Sequence, residues 1–230
     1  MTQDFIESEL AGLGLLLQYR RACAKRQLCA DMPRPSLSDV LSHLSSLLGS
    51  PLSEEQLPAV AKLQCLNVNQ LIDCVSLELN FLRWCAINFE SRVGSVFLAK
   101  KQGLTRLSYS LIRLKDRCLA FELFHRLGAG EATFVDLAFS FSEGEEAIAG
   151  GFIAEAEALD IADEFSSRLL AMAEGETSAP FQYSDYWILL RLNKMVKASL
   201  DPAVQSRILR ECGDEQITSM ITSHPSLIAD

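Results

Sequence analysis

The sequence lacks the patterns that build most metal and disulfide sites. Its seven cysteines include no C-x-x-C pair, and none of its three histidines lies near another histidine or a cysteine at ligand spacing. An odd number of cysteines without clustered ligands argues against a disulfide framework and against a four-ligand zinc site. We therefore expect no metal site, and we expect free thiols in a reducing compartment.

Long apolar runs are also lacking. The longest apolar stretch near the start, residues 11–17, has about seven residues, whereas a membrane-spanning helix needs about 20. Acidic residues precede this stretch and a basic cluster at positions 20–26 follows it, which is the reverse of the charge order in a secretory signal. The sequence predicts no membrane span and a cytoplasmic location.

Positive charge is scarce. Lys and Arg number 21 against 30 Asp and Glu, which gives a net charge of −9 at pH 7. A nucleic-acid interface needs basic clusters to neutralise phosphates, so we expect no nucleic-acid partner. Apolar residues make up 49% of the chain and charged residues 22%, as in a globular protein. The mean hydropathy of +0.14 indicates either extensive burial or an apolar groove for a partner.

The first half has the periodicity of helices. Apolar residues recur at spacings of three and four along residues 3–28, which predicts one amphipathic helix, although two glycines weaken it. S-x-x-D at 36–39 and S-x-x-Q at 53–56 have the form of capping boxes that begin two further helices. Asn67 is a plausible N-cap, and a 3.5-residue apolar repeat then covers residues 72–96. A long helix packed on its neighbours explains this repeat better than a dimeric coiled coil, because the flanking charges are poorly placed.

The pattern changes after Gly103. Residues 106–114 (RLSYSLIRL) alternate and are rich in strand formers, and residues 186–192 (YWILLRL) predict a second strand. Between these strands, three amphipathic helices are expected to begin near residues 116, 133 and 160. Asp201 followed by Pro202 predicts the N-terminus of a last helix that could fold back on the first half.

Two stretches of the second half carry a family resemblance. FHRLGAGEATFVDLAFSFSEGEEAIAGGF, at 124–152, contains a glycine after a helix, a Phe-x-x-Leu-Ala segment, a Phe-Ser turn and a Gly-Gly pair. EGETSAPFQYSDYWILLRL, at 174–192, contains a Gly-Glu pair, a small-Pro-Phe stretch and a closing strand. In this order, the features resemble parvulin-type (PpiC-like) peptidyl-prolyl cis-trans isomerases over residues 104–196. The helical first half looks like the chaperone domain of the SurA-type arrangement, and the resemblance implies a divergent active site.

An α+β fold follows from the patterns and the resemblance together. We expect a helical, chaperone-like domain at 1–103 and a parvulin-like domain at 104–196, with a small sheet and flanking helices. Residues 197–230 are expected to form a C-terminal helix that packs on the helical domain.

The resemblance implies a rotamase-like folding helper that binds proline-containing segments of a client peptide or protein. An amide bond before proline rotates over a barrier of about 18–20 kcal/mol, and its isomerisation makes no covalent bond, so no cofactor is expected. Catalysis needs an apolar pocket for the proline ring and hydrogen-bond donors around the twisting carbonyl. The alternative is a catalytically weak or inactive chaperone, peptide-binding or scaffold subunit that is linked to peptide maturation or export.

The resemblance also implies the substrate-binding residues. Ile161 and Phe165 match the family's apolar residue and Phe one turn apart, and they are expected on one helical face as the proline pocket. Trp187 could stack on a proline ring, and Phe134, in the Phe-x-x-Leu-Ala segment, is assigned to the same pocket. The alternative for these side chains is that they are core residues.

The family's hydrogen-bonding centre is altered in this sequence. The family usually has His in the first strand, where this chain has Ser110, and a second His in the last strand, where it has Asp185-Tyr186-Trp187. The family's Asp or Cys after the Ser of the turn corresponds to Glu143 and Gly144. Ser110 and Glu143 are therefore the expected catalytic residues, because both can hydrogen-bond a substrate.

An acidic run surrounds Gly144. Glu143, Glu145 and Glu146 lie within four consecutive positions. Such a run is usually a solvated loop, and the more specific interpretation is that it attracts a basic client.

Overall fold

The computed structural model describes residues 3–223, which form two compact units. One unit contains residues 3–94 and 201–223, and the other is Ser95–Leu200. The expected helical domain and C-terminal segment also include residues 1–2 and 224–230, which lie outside the described residues.

Helices dominate the first unit, and a small sheet lies in the second. The helices are α1 (Gln3–Gly12), α2 (Leu16–Leu28), α3 (Leu37–Leu48), α4 (Leu57–Leu63), α5 (Val68–Phe89), α6 (Val93–Lys100), α7 (Arg117–Gly128), α8 (Phe134–Phe141), α9 (Asp163–Ala171) and α10 (Pro202–Ser223). The strands are β1 (Arg106–Leu114), β2 (Phe152–Glu157), β3 (Phe181–Tyr183) and β4 (Tyr186–Val196). The prediction of an α+β fold with a helical N-terminal region, a small sheet and a C-terminal helix is confirmed. Within residues 3–223, no helix is long and apolar enough to cross a membrane.

The predicted helix starts are confirmed where side chains cap them. Ser36 accepts a hydrogen bond from the backbone of Asp39, whose carboxylate accepts one from the backbone of Ser36. A capping box also stands at 53–56. These motifs are local, so three or four residues suffice to set them.

Two predicted helices are interrupted. The single helix expected over 3–28 is wrong, because α1 ends at Gly12 and α2 begins at Leu16, with Gly14 between them at φ +72°. That left-handed conformation is open to glycine and strained for most other residues. The long helix expected over 67–96 also divides, because a 3₁₀ turn at Glu90–Arg92 separates α5 from α6.

The first unit has its core between α3, α4 and α5. Its buried apolar residues are Val40, Leu44, Leu57, Ala61, Leu71 and Val75. α10 packs on α5 and α2 of the same unit. At the α5 crossing, Gly213 lies against Cys85 and Phe81, and at α2 the Arg21 guanidinium is 2.6 Å from the Asp214 carboxylate.

One carboxylate links three helices of this unit. Glu78 on α5 forms ion pairs with Lys25 of α2 at 2.9 Å and with Arg210 of α10 at 2.5 Å. Burial acts to raise the pKa of the Glu78 carboxyl, but the hydrogen bonds and charges of Lys25 and Arg210 outweigh burial and lower it. The Lys25 ammonium also lies 4.5 Å from the centre of the Phe81 ring.

Replacing Glu78 by glutamine is expected to lower the free energy of unfolding by about 1 kcal/mol at pH 7. Since the folded-state pKa is lowered, the contribution is present above the ordinary glutamate pKa of about 4.3 and is lost as the pH falls through the folded value. Urea unfolding at pH 7 and near pH 3 measures the effect. Wild type and Glu78→Gln should converge at the lower pH, and a constant difference would contradict the ionic origin.

The second unit is built on a four-stranded antiparallel sheet of order β2-β1-β4-β3. The two strands expected from sequence are confirmed as β1 and β4, whereas β2 and β3 were not predicted. β2 carries two glutamates and two alanines, and β3 has only three residues, so neither has a strong strand pattern.

Apolar residues cover both faces of this sheet. The face toward α9, here the α9 face, buries Leu107, Tyr109, Leu111, Ala158, Ile161, Phe165, Leu169, Phe181, Ile188, Leu190 and Leu192. The face toward α7 and α8, here the α8 face, buries Ile112, Leu114, Ala120, Leu123, Phe134, Leu137, Ala138 and Leu189. Because strand side chains alternate, neighbours along β1 belong to opposite faces.

Candidate functional site

The predicted pocket residues Ile161 and Phe165 lie together on the α9 face. Both are at least nine-tenths buried, and they pack with Tyr109 and Leu111 of β1. Ile161 does not stand on the helix as expected: α9 begins at Asp163, and Ile161 has an extended backbone (φ −95°, ψ 143°) after a 3₁₀ turn. The two side chains therefore meet through the loop before α9 and not through an i, i+4 spacing.

An aromatic group surrounds Phe165. Its ring centre is 4.7 Å from that of Tyr183 and 5.8 Å from that of Phe181, and the Arg168 guanidinium lies 3.9 Å from the Phe181 ring centre. Tyr183, at the end of β3, is 40% exposed, so it forms the solvent side of this group. Ser184 follows with φ +54° and makes the tight turn into β4.

A polar group stands beside the same sheet face. The Glu146 side chain is only 4% exposed, lies 3.2 Å from the Arg113 guanidinium, and accepts a hydrogen bond of 3.0 Å from the Ser142 hydroxyl. The Arg113 guanidinium also lies 5.7 Å from the centre of the Tyr186 ring. Burial raises the pKa of the Tyr109 phenol and outweighs the lowering effect of the Arg113 charge, while Glu146 also raises it, so the hydroxyl keeps its proton at neutral pH.

Gly144 leaves the space that the Glu146 carboxylate occupies. A Cβ atom on Gly144 would overlap both carboxylate oxygens of Glu146. The acidic group at this turn therefore comes from position 146, two residues after the glycine. The sequence interpretation of a solvated acidic run is wrong for Glu146, whose environment depends on Arg113 from a distant strand.

Glu146→Gln is expected to lower the free energy of unfolding by about 1–3 kcal/mol, because Arg113 then faces an uncharged amide in a buried position. Glu145→Gln is the matched control: Glu145 is exposed and adjacent, and its substitution should change stability by less than about 0.5 kcal/mol. Thermal and urea unfolding of both variants measure the difference. Equal changes in the free energy of unfolding would show that the buried ion pair of Glu146 does not stabilise the protein.

Three other predicted site residues lie on the α8 face. Ser110 is buried, and its Oγ accepts a hydrogen bond of 2.9 Å from Asn193, the residue of β4 skipped by the register shift against β1. Phe134 is 2% exposed within the apolar core of that face. Trp187 is half-buried there, with its ring centre 5.9 Å from that of Phe121 and 5.3 Å from the Arg117 guanidinium.

Glu143 holds the end of β1. Its carboxylate accepts a hydrogen bond of 2.7 Å from the backbone N–H of Lys115, and its own N–H donates to the carbonyl of Arg113 at 2.8 Å. Of the six predicted residues, the structure thus brings Ile161 and Phe165 together. Ser110, Phe134 and Trp187 face the other side of the sheet, and Glu143 lies at a strand end.

Sequence reasoning missed Tyr109, Arg113, Glu146 and Tyr183. Residues two apart along a strand share a face, so the alternation of β1 places Tyr109 and Arg113 on the face of Leu111. This alternation could have identified both residues from the sequence. Glu146 and Tyr183 have no such signal, because tertiary contacts alone bring them to this face. Within the described residues, no three His, Cys, Asp or Glu side chains are grouped to hold a metal ion.

Comparison with known proteins gives one family match and several structural similarities. Residues 117–194 match the family described as Rotamase: PPIC-type PPIASE domain. The chain is similar to peptidylprolyl isomerase PrsA from Bacillus anthracis (18% identity, 88% of this chain and 94% of that one, TM-score 0.45). It is also similar to foldase protein PrsA from Streptococcus pneumoniae (15%, 96% and 87%, 0.46) and to the parvulin domain of PpiD from E. coli (25%, 43% and 95%, 0.37).

No curated protein sequence matches the chain. The structural similarities have TM-scores below 0.5, so the assignment rests on the family match, which covers α7, α8, α9 and most of the sheet. Residues 117–194 of this chain therefore contain a domain that matches the PPIC-type PPIASE family.

Proposed function

We propose that the PPIC-type domain binds Xaa-Pro segments of a client chain and accelerates their cis-trans exchange. The observation that carries this proposal is the juxtaposition of two groups on the α9 face: the aromatic group of Phe165 and Tyr183, and the polar group of Arg113 and Glu146. The family match of residues 117–194 supports it.

The aromatic group suits the proline ring. Tyr183 is 40% exposed and in ring contact with the buried Phe165, so a pyrrolidine ring can stack there. Ile161 closes the apolar side of the same cluster. An apolar environment favours the twisted amide, which is less polar than the planar one, and this difference lowers the rotation barrier of about 18–20 kcal/mol.

The polar group suits the twisting carbonyl. Arg113 is 38% exposed at its side chain, so its guanidinium can donate to a substrate oxygen while Glu146 holds it in place. The Tyr109 hydroxyl, protonated at neutral pH, lies on the same strand face. Donors fixed before the substrate arrives stabilise the rotating carbonyl without reorganisation, and each 1.36 kcal/mol of such stabilisation is a tenfold rate increase.

Magnetisation-exchange NMR on short Xaa-Pro peptides tests this proposal. Uncatalysed exchange between the cis and trans forms takes tens to hundreds of seconds. Micromolar protein should shorten this exchange time. Arg113→Ala should reduce the acceleration by about tenfold while peptide binding persists. An unchanged exchange rate at full-length protein concentrations that saturate the peptide would overturn the isomerase proposal.

A second candidate function is client binding without turnover. Neither β1 nor β4 contains a histidine, although the resemblance places the family's histidines there. The polar group built on Arg113 would then orient the client and not catalyse its rotation. Chemical shift changes on titration with a proline peptide, together with an unchanged exchange rate, would favour this function.

We also propose that the protein acts in a reducing compartment such as the cytoplasm. All seven cysteines are free thiols, and Cys65, Cys74 and Cys118 are exposed. Exposed free thiols persist where glutathione keeps them reduced. Thiol alkylation in intact cells tests this location: full labelling of the exposed cysteines is expected, and oxidised cysteines would contradict it.

A further inference from the structure

Residues 131–160 form a segment of one charge sign. They contain eight acidic residues and no Lys, Arg or His. Ion pairs within the unit include those of Glu143 with Lys115, Glu146 with Arg113, and Glu155 with Arg106. Asp136 and Glu145 remain exposed, so the surface of this segment stays negative.

Large apolar side chains are exposed in the same segment. Val135 and Phe139 of α8 are 51% and 59% exposed, Ile148 is 83% exposed, and Phe152 at the start of β2 is 52% exposed. α8 already buries Phe134, Leu137 and Ala138 against the sheet. A surface helix normally presents polar residues on its outer side, so this outer apolar side indicates an interaction surface.

Gly150 lies close to two of these side chains, those of Val135 and Phe139. Its φ is +61°, and a Cβ atom there would lie 2.7 Å from Val135 and 3.3 Å from Phe139. Only a glycine lets the chain pass this close to α8 between Ile148 and Phe152. We call Val135, Phe139, Ile148 and Phe152, with the exposed carboxylates of Asp136 and Glu145, the acidic–apolar surface.

We propose that the acidic–apolar surface docks a cationic segment with apolar side chains, supplied by a partner chain. Charge complementarity selects this occupant: apolar side chains fill the contact with the four exposed residues, and Lys or Arg side chains meet the carboxylates that have no basic neighbours within 131–160. A second copy of this chain is a poor occupant, because its net charge of −9 would repel the surface.

Most of this surface is separate from the proposed isomerase site, and only Glu145 adjoins it, next to Glu146. α8 and Phe152 lie at the α8 face, whereas Phe165 and Tyr183 lie at the α9 face of the sheet. The inference therefore holds or fails independently of proline binding, and a probe without proline distinguishes the two.

The test measures binding of a short proline-free peptide of lysine, leucine and serine to the full-length protein by fluorescence anisotropy. Two control peptides replace every lysine by glutamate or every leucine by serine. The lysine–leucine peptide should bind at least tenfold tighter than either control, and its binding should weaken as salt is added. Equal binding of the glutamate peptide would overturn the proposal.

Protein variants locate the contact. Phe139→Ser should weaken binding by about tenfold, whereas Leu98→Ser, which removes an apolar side chain that is 70% exposed on α6, should not. Glu145→Lys should weaken binding more than Asp31→Lys, an equal charge change at an exposed position of the first unit. Equal effects within either pair would overturn the assignment, as would a dimer in light scattering that Phe139→Ser dissociates.

Discussion

Gly213→Ala is expected to lower the free energy of unfolding by about 1–3 kcal/mol, because it overpacks the crossing of α5 and α10. A Cβ atom on Gly213 would overlap the Sγ atom of Cys85 and lie 2.8 Å from Cζ of Phe81. Both neighbours are fully buried, and burial raises the pKa of the Cys85 thiol to about 11, so this is a neutral, packed contact. Urea unfolding followed by circular dichroism measures the loss.

The control for this prediction is Gly94→Ala. Gly94 lies in α6, and a Cβ atom there meets nothing within 4 Å, so the alanine should be neutral or stabilise the protein by up to about 1 kcal/mol. The double variant Cys85→Ala with Gly213→Ala gives a second comparison. If Gly213→Ala lowers the free energy of unfolding as much in the Cys85→Ala background as in wild type, overlap with the Cys85 sulfur is not the cause of the loss.

Local chemistry accounts for what the sequence could predict of the fold. The helix start at Ser36 has the expected capping box, and Asn67, expected only as an N-cap, forms a capping box with Gln70. β1 and β4 follow from runs rich in apolar and aromatic residues, and the two strands pair at the centre of the sheet. The break at Gly14 and the edge strands β2 and β3 depend on tertiary packing, which the apolar periodicity of the sequence does not reveal.

The candidate site was less predictable, for a geometric reason. In a strand, moving by one residue changes the face of the sheet, so Ser110 and Leu111 point to opposite sides. The resemblance predicted that Ser110 faces the substrate. In the structure its hydroxyl instead accepts a hydrogen bond from Asn193. The polar group instead comes from Arg113 and from Glu146, whose carboxylate takes the space beside Gly144.

Phe165→Ala is expected to have the largest effect in the PPIC-type domain. Removing a Phe that is 9% exposed should cost about 3–5 kcal/mol of unfolding free energy, because the cavity left between Ile161, Phe181 and Tyr183 is not refilled. If Phe165 also forms the floor of the proline site, binding of Xaa-Pro peptides should weaken by at least tenfold. Calorimetry and peptide titration measure the two effects separately.

Leu123→Ala separates the functional effect from the structural one. Leu123 is fully buried on the α8 face, and its truncation should cost a comparable 2–5 kcal/mol without touching Phe165. Phe165→Leu keeps more of the buried volume and gives a folded variant for titration if Phe165→Ala does not fold. Weaker peptide binding in Phe165→Leu but not in Leu123→Ala assigns the site to the α9 face. Equal peptide binding by both variants would show that Phe165 serves only as a core residue. A loss of stability alone would affect binding to the same extent whichever face of the sheet it came from.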